Sequence, residues 1–94
     1  MRLYVYPAVF YKQEDETDIT VVFPDLDIYT SGSNIEDAYL LAKEFLRVYL
    51  SYAVKYEIDY NLPSTLDKIS QIKYSKDQKI MFVDAFIDMK KTKA

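Results

Sequence analysis

The chain has 94 residues, of which 50% are hydrophobic and one is glycine, so one folded domain is expected rather than a disordered segment. It contains neither histidine nor cysteine, which excludes disulfides, thiolate–metal sites and nucleophile systems that pair serine or cysteine with histidine. The net charge of −3 is uneven: residues 1–60 carry 11 acidic and 5 basic side chains and residues 61–94 carry 4 and 7, so the first part suits a basic protein partner better than a nucleic acid.

The first predicted element is a strand over residues 2–12, and both of its faces are apolar. Alternation divides its apolar side chains into two sets, which are Leu3, Val5 and Val9 on one face and Tyr4, Tyr6, Ala8 and Phe10 on the other. Residues 14–18 are too polar for anything but a hairpin connection, and a second strand over residues 18–23 follows it. Pro24 ends that strand because proline has no N–H for the ladder. A short third strand is predicted over residues 27–30.

A long amphipathic helix is predicted from about residue 34 to residue 56. Ser33 and Glu36 have the spacing of a capping box at its start. Apolar residues recur at helical spacing along it, and they are Ile35, Ala38, Leu41, Ala42, Phe45, Leu46, Tyr49, Leu50 and Ala53. Pro63 and Ser64 interrupt the chain after the helix, and Ser64 is expected to cap a short helical turn ending near Ile69.

The last predicted strand covers residues 79–87 and is again apolar on both faces. The order ββ(β)αβ predicts an α+β fold, in which one long helix packs on one face of a small antiparallel sheet of three or four strands. A single helix leaves the other face of the sheet in water. We therefore predict a homodimer or higher oligomer that associates through this face, with Tyr4, Tyr6, Phe10, Phe82 and Phe86 in the contact. The alternative is that the segment around residues 65–69 folds over it.

Four short motifs resemble the HicB antitoxin family. Phe23-Pro24-Asp25-Leu26 and Thr30-Ser31-Gly32 precede the helix, Tyr6-Pro7-Ala8 lies in the first strand, and Pro63-Ser64 follows the helix, all in the family's order. The resemblance implies a HicB-like domain over residues 1–88, described in the family as a partial ribonuclease-H-like fold. No cofactor is predicted for it. The family usually has Pro-Gly after its Phe-Pro-Asp-Leu, whereas this chain has Asp27-Ile28, so a different turn geometry is expected.

HicB antitoxins bind and mask HicA, a small basic toxin that cleaves RNA with a histidine, so the resemblance implies a HicA-type partner. The surface predicted for it combines acidic groups that attract a basic protein with apolar groups that supply shape. Its residues are Glu14, Asp15, Glu16, Phe23, Pro24, Asp25, Leu26 and Asp27. The alternative function is an orphan HicB-like oligomerisation or protein-interaction module that has no toxin.

The sequence also predicts what this domain does not do. Residues 89–94 form a short basic tail rather than a DNA-reading module, so no specific DNA binding by this chain is expected. The first strand carries no carboxylate, and Asp25 and Asp84 are the two that could meet, so neither a metal site nor catalysis is predicted. No signal peptide or apolar run of about 20 residues is recognisable, so we expect a cytoplasmic protein without a membrane segment.

Overall fold

The computed structural model describes residues 1–89, which form one antiparallel sheet and two helices. The strands are β1 (Arg2–Lys12), β2 (Ile19–Phe23), β3 (Ile28–Gly32) and β4 (Lys79–Ile87), and the helices are α1 (Ile35–Lys55) and α2 (Leu66–Ser70). The strand order is β3-β2-β1-β4. This confirms the predicted α+β fold, including the third strand, which ends at Gly32 rather than residue 30. Five residues of the predicted tail, 90–94, lie outside the described part.

Strand β1 is central to the sheet. It pairs with β4 from Arg2↔Ile87 to Phe10↔Lys79, and the end of β1 pairs with β2. Side chains on both apolar faces of β1 are buried, Tyr6 and Phe10 on one face and Pro7 and Val9 on the other, while Leu3 and Val5 remain partly exposed. None of the helices within residues 1–89 is long and apolar enough to cross a membrane.

The start of α1 differs from the predicted capping box by one residue. Asn34 is the N-cap, and its side chain accepts a hydrogen bond of 2.8 Å from the Asp37 amide. The Ser33 hydroxyl donates to the Asp37 carboxylate instead of capping the helix itself. The preceding Gly32 packs so closely on the first turn that an added Cβ would lie 2.4 Å from the backbone nitrogen of Ala38. Gly32 therefore fixes how near α1 sits to the sheet.

The core lies between α1 and the face of β1 that carries the large aromatic side chains. Tyr4, Tyr6 and Phe10 are 3%, 0% and 2% exposed. The inner face of the helix is built partly from alanine, and its buried residues are Ala38, Ala42, Leu46, Leu50, Ala53 and Val54. Small side chains on the helix leave room for the rings of β1, so that the summed volumes fill the core. The predicted role of Tyr4, Tyr6 and Phe10 in self-association is therefore wrong.

The second face of the sheet, opposite α1, is covered in its middle by the chain between α1 and β4. Pro7 and Val9 on this face are buried, as is Ile69 of α2. The rings of Tyr11 and Tyr74 stack there with centroids 5.2 Å apart. The alternative that the segment around residues 65–69 folds over this face thus holds for its centre, while both ends of the face stay open.

Candidate functional site

The turn between β2 and β3 is fastened to the segment that follows α1. The Asp25 carboxylate accepts a hydrogen bond of 2.8 Å from the Ser64 amide and a second one from the Ser64 hydroxyl. The side chain of Asn61 donates to the Asp25 carbonyl at 2.9 Å. Asp25, which was predicted to contact a toxin, is thus occupied inside the domain, where it links Phe-Pro-Asp-Leu to Pro-Ser.

The geometry of this turn explains how the chain can have Asp27-Ile28 where the HicB family usually has Pro-Gly. The amides of Leu26 and Asp27 both donate to the Phe23 carbonyl, at 3.1 and 2.9 Å. Asp27 has a φ of 54°, in the left-handed region that aspartate tolerates better than most residues. Phe23 and Leu26 belong to the core. The prediction that Phe23 and Leu26 supply shape to a toxin-binding surface is therefore wrong, because both side chains are buried in the core. Pro24 is half-buried and Asp27 is exposed.

Two tyrosine hydroxyls of β1 bind the segment that follows α1. Tyr6 donates to the Asn61 carbonyl at 2.6 Å, and the hydroxyls of Tyr4 and Tyr60 share a hydrogen bond at 2.5 Å. Burial raises the pKa of Tyr6, and the neighbouring tyrosines add to the shift. Burial and the hydrogen bond that it shares with Tyr4 likewise raise the pKa of Tyr60. Tyr6 and Tyr60 are therefore neutral structural groups at physiological pH.

The hairpin between β1 and β2 concentrates negative charge at the other end of β2. Glu14, Asp15, Glu16 and Asp18 are all exposed, and Asp15 adopts a φ of 65° in the turn. Nowhere within residues 1–89 do these four carboxylates take part in an ion pair. Because β2 has five residues, about 13 Å of strand separates the hairpin from Asp25. The predicted toxin surface is thus divided into two distant parts.

An acidic hollow lies beside this hairpin. It has a volume of about 280 Å³ and is lined by Gln13, Glu16, Asp18, Thr20, Tyr29, Thr30 and Ser31. Tyr29 pairs with Val22 in the β2–β3 ladder and is 72% exposed. Sequence reasoning missed Asp18 and Tyr29 as site residues. Asp18 was visible as a fourth carboxylate of the hairpin, but the position of Tyr29 depends on strand register.

The opposite end of the second face is apolar. Phe82 and Phe86 of β4 are 51% and 61% exposed, and Leu3 is paired opposite Phe86 in the ladder. Asp84 lies between the two phenylalanines, opposite Val5, and forms an ion pair of 3.2 Å with Lys43 of α1. Of the predicted self-association residues, Phe82 and Phe86 thus remain accessible, while Leu3 and Val5 were not predicted to join them.

The carboxylates proposed as a possible pair are engaged separately. Asp84 pairs with Lys43 and Asp25 with Ser64. Among the described residues there is no group of three or more acidic side chains that could hold a metal ion.

Comparison with solved structures identifies the fold. A chain of a toxin–antitoxin complex from Streptococcus pneumoniae is 24% identical, with a TM-score of 0.75, and the match covers 94% of this chain and 71% of that one. The HicB antitoxin of Burkholderia pseudomallei is 17% identical, with a TM-score of 0.74, over 92% of this chain and 63% of the antitoxin. No protein-family model and no curated protein sequence matches the chain. This domain therefore has the HicB-like fold and spans less than two thirds of the Burkholderia antitoxin.

Proposed function

We propose that this domain is a non-catalytic, cytoplasmic antitoxin module that binds and masks a small, basic, RNA-cleaving toxin of the HicA type. The fold shared with HicB and with a chain of a toxin–antitoxin complex supports an antitoxin role. The observation that carries the choice of a basic partner is the acidic hairpin, whose four carboxylates find no cation among the described residues.

The toxin-binding surface in this proposal is the acidic hollow together with the hairpin. Glu14, Asp15, Glu16 and Asp18 supply charge at its rim, and the exposed ring of Tyr29 supplies apolar area with a polar tip. A cleft lined by one sign of charge raises the association rate of an oppositely charged partner by about 10- to 1,000-fold at low salt. In this proposal the hairpin keeps its predicted role, whereas Asp25, Phe23 and Leu26 have structural roles inside the domain.

A co-expression experiment tests this function. The probe is the product of a short, basic, histidine-containing reading frame beside this gene, expressed in a bacterial host with and without the domain. We expect the probe alone to stop growth, and the domain to restore growth and to co-purify with the probe at low salt. Failure to co-purify and to restore growth contradicts the antitoxin role.

A matched pair of variants tests the surface independently of the role. Glu16→Lys/Asp18→Lys should abolish co-purification, because it reverses two charges of the hollow. Asp59→Lys/Asp67→Lys changes the net charge equally at exposed positions outside the hollow and should have no effect. If Phe86→Asp breaks the complex and the hollow variant does not, the toxin binds the apolar end of the second face instead.

The alternative of an orphan interaction module is favoured by one observation. Phe82, Phe86, Leu3 and Val5 leave an apolar area open on the second face, and such areas mark contacts with other proteins. A gene without a short basic neighbour favours this alternative, whereas a toxic neighbour that this domain neutralises excludes it.

A further inference from the structure

The outer surface of α1 carries an apolar stripe that the fold does not cover. Leu41, Val48 and Tyr52 are 48%, 49% and 57% exposed, and Phe45 between them is half-buried. At 100° per residue the four side chains lie within about 60° of one another, on the side of the helix that faces away from the sheet. The stripe is therefore separate from both the core and the acidic hollow.

The spacing of this stripe is that of a helix–helix seam. Its members are separated by 4, 3 and 4 residues, which is the alternation of positions a and d in a coiled coil. The midpoint in sequence number between Leu41 and Tyr52 is 46.5 ((41 + 52)/2), and the midpoint between Phe45 and Val48 is the same ((45 + 48)/2). A second copy of the helix running antiparallel thus places Tyr52 against Leu41 and Val48 against Phe45 about one two-fold axis.

Charges along the seam fit the same axis. Asp37 and Lys55 lie on the same edge of the stripe, since they are 18 residues apart and 18 residues make five full turns. They are centred on residue 46 ((37 + 55)/2), about 0.8 Å along the helix from the centre of the apolar pairs. An antiparallel two-fold pair brings like edges together, so Asp37 of one copy meets Lys55 of the other twice.

We propose that α1 is a homodimerisation surface on which a second copy of this chain packs antiparallel, through Leu41, Phe45, Val48 and Tyr52, with Asp37–Lys55 ion pairs at both ends. Apolar burial supplies the association free energy, and the two charge pairs select the antiparallel direction, because in a parallel pair Asp37 and Lys55 would lie at opposite ends of the seam and would not meet. The self-contact is isologous, as in most soluble dimers. Both acidic hollows remain open in this dimer, because no residue of the seam lines the hollow.

Light scattering during size-exclusion chromatography tests the surface. At about 100 μM the chain should elute as a dimer, and Val48→Asp should raise the dissociation constant at least tenfold. Leu40→Asp is the matched control, because Leu40 is a more exposed apolar residue of the same helix, 64% exposed, and lies on its charged side. A monomer for the unmodified chain, or a dimer that Leu40→Asp or Phe86→Asp breaks and Val48→Asp does not, overturns the proposal.

Crosslinking tests the direction, since the chain has no cysteine of its own. Leu41→Cys chains mixed with Tyr52→Cys chains should form a disulfide-linked pair under mild oxidation, because the two positions face each other in the antiparallel arrangement. Either variant alone should crosslink at most one tenth as fast. Rapid crosslinking of Leu41→Cys with itself would indicate a parallel pair and contradict the proposed contact.

Discussion

The carboxylate of Asp25 accepts two hydrogen bonds from Ser64, which lies 39 residues further along the chain. This contact joins the β2–β3 turn to the connection that leaves α1, and it explains why the Phe-Pro-Asp-Leu and Pro-Ser motifs occur together. The two motifs therefore supply the two partners of one contact, which joins the β2–β3 turn to the connection after α1.

Replacing Asp25 should destabilise the domain. Asp25→Asn removes a charged acceptor and turns an amide towards the donors of Ser64, so we expect the free energy of unfolding to fall by about 1–2 kcal/mol. Urea denaturation measures the change. Asp27→Asn is the control, because it removes the same charge from the same turn and asparagine also tolerates the left-handed backbone. Equal losses in the two variants would contradict the fastening role of Asp25.

Gly32 should tolerate no side chain. The Cβ of Gly32→Ala would lie 2.4 Å from the Ala38 nitrogen, so α1 must move away from β3. We expect the free energy of unfolding to fall by at least about 2 kcal/mol, as for other overpacked contacts. Ser31→Ala, at an exposed neighbouring position, should change it by less than about 0.5 kcal/mol. A Gly32→Ala variant as stable as Ser31→Ala would show that the close approach is not required.

The stability of the domain should fall above pH 10. The pKa of Tyr6 is raised by burial in the folded state, so between pH 10 and that pKa the unfolded chain loses a proton that the folded chain retains. The contribution of Tyr6 is therefore complete below pH 10 and is lost as pH rises, at about 1.4 kcal/mol per pH unit. Urea unfolding between pH 9 and 11.5 measures the slope. Tyr6→Phe should reduce the slope by that amount, and an unchanged slope would contradict the assignment.

The ion pair between Lys43 and Asp84 should matter little to stability. Both side chains are about half exposed, at 50% and 42%, and such pairs contribute less than about 1 kcal/mol. Asp84→Asn should therefore unfold at nearly the same urea concentration as the original chain.

The same variant tests the absence of catalysis: pure protein with Mg²⁺ should not cleave RNA, and a cleavage activity that Asp84→Asn abolishes would contradict the proposal.

The sequence predicts the elements better than it predicts their faces. Pro24, the hairpin acids and the helical spacing after Ser33 locate the strands and the helix within one or two residues. Alternation along β1 separates Tyr4, Tyr6 and Phe10 from Leu3, Val5 and Val9, but it does not state which set lies under the helix. That choice depends on the volumes of the side chains on both elements. The small alanines of α1 leave room for the large rings of β1, and this match can be recognised only when the helix is placed on the sheet.

The candidate site illustrates the same limit. Glu14, Asp15 and Glu16 are adjacent in the chain, so their common surface follows from the sequence. Tyr29 joins them because the β2–β3 register sets it beside the hollow. Asp25 leaves the predicted surface because Ser64 reaches it from a distant segment, and no local pattern contains that partner.

Inhibition of the toxin's RNA cleavage tests the central claim most directly. The purified product of the neighbouring basic reading frame is titrated with this domain at low salt while the rate of cleavage of a labelled RNA is followed. RNA cleavage should stop when one equivalent of the unmodified domain has been added. The Glu16→Lys/Asp18→Lys variant should fail to inhibit cleavage, whereas the control variant Asp59→Lys/Asp67→Lys should inhibit it fully. Cleavage that continues unchanged with excess unmodified domain would contradict the account.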